Sequence, residues 1–187
     1  MLVHQSLPSR KRLRLPTEKY PETSWYFVTL CCYKRQHFFG TIKDGQMIYS
    51  EFGMIAERIW IQMFTEAFRA ENIIFQVMPD HFHALIYLEK RKDKSEKKYG
   101  DKNYENPEIS NFIGAFKSRV SVECLRAHKQ KYASEENTPH LGKIWLRSFH
   151  ERIIRNQNQY ENVYAYIKNN PAAWSQKGRD KPVPDKG

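Results

Sequence analysis

Apolar residues recur at three- and four-residue spacings between 51 and 70, at Phe52, Ile55, Ala56, Ile59, Trp60, Met63, Phe64 and Ala67. That rhythm predicts a helix with one continuous stripe turned to a core. A second helix is predicted from about Ile109, where Ile109, Phe112, Ile113, Phe116 and Val120 share a face and leave Lys117, Arg119 and Arg126 largely outside it. Strand patterns are of a different kind. Residues 25–32 are aromatic and β-branched on both faces, which predicts a central strand. Residues 72–78 and 81–88 are strand-like and separated by Pro79-Asp80, a turn signal, so the two form a hairpin. A fourth strand falls within 144–154, and a helix over 157–169 stops short of Pro171.

This order of strand, helix, hairpin, helix, strand and helix, without internal repeats, implies an α+β domain with an antiparallel sheet covered by helices. At 187 residues the chain suits one compact domain. Its expected limits are a basic arm over 1–24, a single domain over 25–174 interrupted by a charged loop at 90–108, and a flexible tail over 175–187. The loop is crowded with Lys, Asp, Glu and Asn and lacks the branched apolar residues needed to pack.

Charge narrows the choice of partner. Lys and Arg number 31 against 21 Asp and Glu, a formal net charge of +10 with a pI near 9.5, which favours a polyanion such as nucleic acid. Aromatic residues make up 14% of the chain and offer surfaces on which bases stack. Charge and aromatic content are equally compatible with plain solubility and core packing. Cys31, Cys32 and Cys124 form neither a disulfide framework nor a CxxC zinc motif, which fits a reducing cytoplasm. No apolar run approaches the roughly 20 residues of a membrane span, and the first 16 residues lack a signal-peptide core.

The chemistry concentrates in two places. On a strand, alternate side chains share a face, so His81 and His83 project together roughly 6.6 Å apart, while Phe82, Ala84, Ile86 and Leu88 bury the opposite face. Two imidazoles in that arrangement grip a cation, or they are ordinary hydrogen-bonded strand residues. Further on, Tyr166 and Asn170 lie four apart on one helix face, bringing a phenol and an amide towards the same point. A phenol with an ordinary pKa of about 10 is a weak nucleophile at neutral pH without a nearby cation or base. Tyr164 falls about 200° from Tyr166 around such a helix and faces elsewhere. The bland alternative is that Tyr166 caps the core.

Several spaced words carry a more specific signal: Trp25-Tyr26-Phe27-Val28-Thr29, Met78-Pro79-Asp80-His81-Phe82-His83, Ile144-Trp145-Leu146-Arg147-Ser148-Phe149, Ile153-Ile154-Arg155 and Tyr166-Ile167-Lys168-Asn169-Asn170-Pro171. In this order the chain resembles the HUH single-tyrosine transposases, and within them the REP-associated tyrosine transposases of bacteria. The resemblance implies a ferredoxin-like fold in which His81, His83 and Asn170 hold Mg or Mn. It further implies that Tyr166 attacks DNA to leave a 5′-phosphotyrosine and a free 3′-hydroxyl. It implies hairpin-forming or single-stranded DNA as partner, and a cytoplasmic, nucleoid-associated protein that works as a monomer or a homodimer. Arg10, Lys11, Arg12, Arg14, Lys117, Arg119 and Arg147 become candidate DNA contacts by charge and position.

Pro171 sets Asn170 at a helix end, because its ring disfavours helical geometry at the residue before it. Two other functions share these features. One is a nucleic-acid binding module that keeps the sheet and charge without cleavage. The other is a zinc hydrolase using metal-bound water, for which His140 and His150 are possible further ligands although both read first as surface or core histidines.

Overall fold

The computed structural model describes residues 23–65, 70–89, 108–135 and 140–176. The arm with Arg10, Lys11, Arg12 and Arg14, almost all of the charged loop 90–108, and residues 177–187 lie outside the described residues.

The main sheet contains β1 (Thr23–Cys31), β4 (Ala70–Met78), β5 (His81–Glu89) and β6 (His150–Ile154), all antiparallel, in the order β4-β5-β1-β6. The helices are α1 (Glu51–Thr65), α2 (Glu108–Lys131) and α3 (Gln157–Gln176). Taken alone, the sheet strands and helices run βαββαβα, a ferredoxin-like arrangement with one added helix. Alternation along the strands sorts the two faces. Tyr26, Val28 and Leu30 of β1 and Phe82, Ala84, Ile86 and Leu88 of β5 join one large core with α1 and α2. The other face packs Leu85 and Ile154 against Val163 and Ile167 of α3.

Trp60 of α1 lies at the centre of the larger core. It is fully buried, its ring meets Phe64, Phe75, Phe82, Phe112 and Phe116 at centroid distances of 4.7 to 6.2 Å, and its indole N–H donates to Asn72 Oδ1. One side chain thereby ties α1 to β4, β5 and α2. Trp60→Ala should cost about 3–5 kcal/mol, the usual range for such truncations. Thermal denaturation followed by circular dichroism should show a midpoint roughly 6–20 °C lower.

Three sequence expectations change. Residues 40–49 form an additional hairpin, β2 (Gly40–Lys43) with β3 (Gln46–Tyr49), turned by Asp44 at φ 52° and Gly45 at φ 73°. Two positive φ values at Asp-Gly are the mark of the mirror-image turn that matches strand twist. The arm ends earlier than expected, since Thr23 and Ser24 already pair with Glu89 and Leu88.

The third change is to α3, which runs through Pro171 to Gln176 and takes in the first two residues assigned to the tail. An interior proline costs about 3 kcal/mol. Against that, Trp174 is buried with Ile42 and Met78, and burying an indole of its size contributes about 4–6 kcal/mol. The anchored last turn outweighs the missing hydrogen bond, and Asn170 therefore sits inside the helix rather than at its end. Among the described residues no helix is long and apolar enough to cross a membrane.

Candidate active site

A two-residue turn, Pro79-Asp80, joins β4 to β5 and sets His81 and His83 on the α3 face of the sheet. Backbone bonds pin that turn: Cys32 N–H donates to Asp80 O at 2.8 Å and Phe39 N–H to Pro79 O at 3.1 Å. The start of α3 is fixed as firmly. Asn156 Oδ1 accepts from Gln159 N–H at 2.9 Å, and Gln159 Oε1 reaches back to Arg155 N–H at 3.0 Å, a variant of the capping box. With its first turn fixed, the helix presents Tyr166 and, one turn later, Asn170 to the sheet.

These elements enclose a cleft of about 450 Å³ whose lining includes His81, His83, Tyr166 and Asn170. The buried polar and charged residues among those described are Asp80, His81, His83 and Asn170. All four belong to this one place, three lining the cleft and Asp80 bonded to a liner. Such groups are costly to bury unless they are paired, so their gathering marks the site. Tyr166 is by contrast about half exposed, and its hydroxyl lies 3.4 Å from His83 Nε2.

Each imidazole is oriented from behind. His81 Nδ1 donates to Asp80 Oδ1 at 2.5 Å, and His83 Nδ1 shares a hydrogen bond with Thr29 Oγ1 at 2.9 Å. On His83 the second nitrogen, Nε2, faces the Tyr166 hydroxyl, and the centroids of the two rings are 4.5 Å apart. Burial pushes the His83 pKa well down, helped by the nearby charges of His81 and Arg35 and opposed by a hydrogen bond at the Val28 backbone. The ring is thus kept neutral, the state a metal ligand needs. Burial would raise the Asp80 carboxyl, but the hydrogen bond from His81 and the charges of His81, Arg35 and His37 overcome it and hold the group below the usual range. Asp80 is therefore a carboxylate, able to orient His81 as carboxylates do behind metal-binding imidazoles.

The donor set fits a divalent cation. Among the described residues no three His, Cys, Asp or Glu side chains come together in a metal-binding group. Two imidazoles would therefore be completed by oxygen, from the Asn170 amide or from a substrate phosphate, and oxygen is the donor that Mg and Mn favour. His150, read from the sequence first as a surface or core histidine, is exposed and also lines the cleft, opposite Thr29 in register. It does not complete a three-ligand group with the pair. His140 is exposed and not among the cleft-lining residues.

The competing tyrosines face elsewhere. Tyr160 packs edge-on against Trp25 at 5.3 Å, and Tyr164 stacks on Tyr160. Of the candidate DNA contacts, Lys117, Arg119 and Arg147 are not among the cleft-lining residues. The Lys117 ammonium donates to the carbonyls of Leu146 and Arg147 at 2.6 and 3.0 Å, which holds that loop in place. Arg126 pairs with Glu123.

The cation that does line the cleft is Arg35, overlooked in the sequence, with its guanidinium 3.4 Å from Asp80 Oδ2. Lys34 and Arg35 both have positive φ, 52° and 56°, a strain of about 1–3 kcal/mol each that tends to gather at functional sites. Two adjacent basic residues shortly after a strand, Lys34 and Arg35, are the trace this turn leaves in the sequence.

No family model matches the chain. It is 30% identical over 172 residues to an uncharacterized protein of Haemophilus influenzae, covering 89% of this chain and 91% of that protein. Among solved structures it is similar to a REP-associated tyrosine transposase bound to a REP hairpin, with a TM-score of 0.55 and 19% identity over 88% of this chain and 73% of that one. At that identity the likeness is one of fold.

Proposed function

Because the chain belongs to the family of the Haemophilus influenzae protein and folds as a REP-associated tyrosine transposase does, we propose that it is a metal-dependent HUH single-tyrosine transposase, cutting and rejoining single-stranded DNA beside a hairpin. The observation that carries this reading is the gathering of the buried polar side chains His81, His83, Asp80 and Asn170 at one cleft, with the exposed Tyr166 phenol beside them.

His81, His83 and Asn170 would hold Mg or Mn. A divalent cation bound there supplies Lewis-acid polarisation of the scissile phosphate and offsets charge in the transition state. The Tyr166 oxygen forms a bond to phosphorus as the bond from phosphorus to the 3′-oxygen breaks. The phenol gives up its proton and the leaving 3′-oxygen takes one up, leaving a 5′-phosphotyrosine and a free 3′-hydroxyl. One phosphodiester replaces another, so attack by a different 3′-hydroxyl completes strand transfer without any cofactor that is consumed. Thr29 and Asp80 hold the two imidazoles in orientation, and α3 brings the phenol to them. A DNA partner puts the protein where the chromosome is, in the cytoplasm.

Incubating the protein with labelled hairpin-bearing single strands and Mn tests this reading on a denaturing gel. A labelled band that migrates with the protein supports it, and cleavage without such a band points to attack by water instead. Asp80 supplies a second check, because removing the carboxylate behind a metal-binding histidine commonly weakens metal binding about 10- to 100-fold. Asp80→Ala should do so in a Mn titration followed by electron paramagnetic resonance, with Asp80→Asn retaining much of the affinity through its amide oxygen.

A further inference from the structure

Where β1 ends, the chain turns sharply through Tyr33, Lys34 and Arg35, and a second loop, 140–149, lies against it. The two are joined by backbone bonds: Tyr33 N–H donates to Ile144 O at 2.8 Å, Leu146 N–H donates to Cys31 O at 2.9 Å, and Cys32 forms a bridge with Trp145. The surface they make is preformed rather than assembled on binding. At its centre the Tyr33 ring is 36% exposed, with the ammonium groups of Lys34 and Lys143 at 5.8 and 5.9 Å from its centroid. Arg35 of the same turn reaches into the catalytic cleft, and Arg147, exposed, lines a second hollow together with Lys143.

An exposed aromatic ring flanked by cations, continuous with a nuclease cleft, has the two parts that sequence-tolerant binding of single strands uses: a stacking platform and phosphate neutralisation. Base stacking on a ring outweighs an exposed cation–π contact, so an arriving base displaces the ammonium groups from the ring and frees them for the phosphates. We infer that the surface formed by Tyr33, Lys34, Lys143 and Arg147 binds the single-stranded DNA that flanks the scissile phosphate, stacking one base on Tyr33. The choice of DNA as ligand rests on the nuclease reading. The surface itself is defined by the ring, the cations and their continuity with the cleft through Arg35.

Fluorescence anisotropy with a labelled oligothymidylate, run on the full chain, tests the inference. Tyr33→Ala should weaken binding about tenfold, and Tyr33→Phe, which keeps the stacking face, should bind as the parent does. The charge-reversed pair Lys34→Glu and Lys143→Glu should lower the salt slope of log K by about 1.4, two single-strand phosphate contacts. All these positions are exposed, so unchanged melting temperatures would exclude unfolding as the cause. Unchanged affinity and salt slope in the variants would overturn the surface even if covalent adducts form. Weakened binding without adducts on any hairpin would support the surface and count against the nuclease reading. Equal competition by polyglutamate would overturn the assignment to nucleic acid.

Discussion

Tyr166→Phe is expected to abolish the covalent protein–DNA band while leaving the fold and the affinity for single strands intact. The substitution removes one oxygen from a side chain that is 49% exposed, and the hydrogen-bond contact it loses is the long 3.4 Å approach to His83 Nε2. The Phe27 ring, edge-on to Tyr166 at 5.9 Å, should pack against a phenylalanine equally well. Activity has no such alternative, because Tyr160 and Tyr164 pack on Trp25 and on each other rather than beside the histidines. Loss of a covalent nucleophile costs on the order of 10⁶ in rate where hydrolases have been dissected. A drop below detection in a time course of adduct formation is therefore the expected outcome. Residual cleavage at more than about a hundredth of the parent rate, on the scale where each factor of ten is 1.36 kcal/mol, would point to metal-bound water as the attacking group.

Replacing both His81 and His83 with alanine should remove cleavage and Mn binding together. Neither ring is a spectator: each has Nδ1 engaged with the protein, by Asp80 and by Thr29, and each lines the cleft. Among the described residues no three His, Cys, Asp or Glu side chains form a metal-binding group, so the two imidazoles are not duplicated by a second such cluster. The double variant should show no tight Mn site in a paramagnetic resonance titration, and adduct formation should fall by several orders of magnitude. The double variant should also lose some stability. Asp80 would lose its bond from His81 and be left a buried carboxylate with the Arg35 guanidinium 3.4 Å away, a loss of order 1–3 kcal/mol. Retained Mn affinity in the folded double variant would remove the histidines from the metal site.

The parts of this protein that could be read from sequence are those set by local period. A two-residue alternation puts His81 and His83 on one face and Phe82 and Ala84 on the other, and a four-residue step puts Tyr166 above Asn170. These relations hold wherever the strand and helix end up. What depends on register between distant strands was not legible. Thr29 bonds to His83 across 54 residues, and His150 enters the cleft because it pairs opposite Thr29, which no spacing within β6 reveals. Pro171 misled for an energetic reason: a local rule against proline was outweighed by the burial of Trp174 three residues later, whose ring also packs 5.3 Å from His81. The β2–β3 hairpin, by contrast, was written in Asp44-Gly45 and its alternating flanks, a signal that neighbouring longer patterns overshadowed.

The central claim, that Tyr166 becomes joined to DNA, is tested most directly by mapping the attachment site. Protein reacted with hairpin-bearing single strands and Mn is digested with nuclease and then trypsin. Cleavage after Arg155 and Lys168 releases residues 156–168, a peptide that holds Tyr160, Tyr164 and Tyr166 together. Fragmentation by tandem mass spectrometry distinguishes the three. The account predicts a nucleotide phosphate on Tyr166 alone. A nucleotide on Tyr160 or Tyr164, or cleaved DNA with every tyrosine of this peptide unmodified, would contradict it.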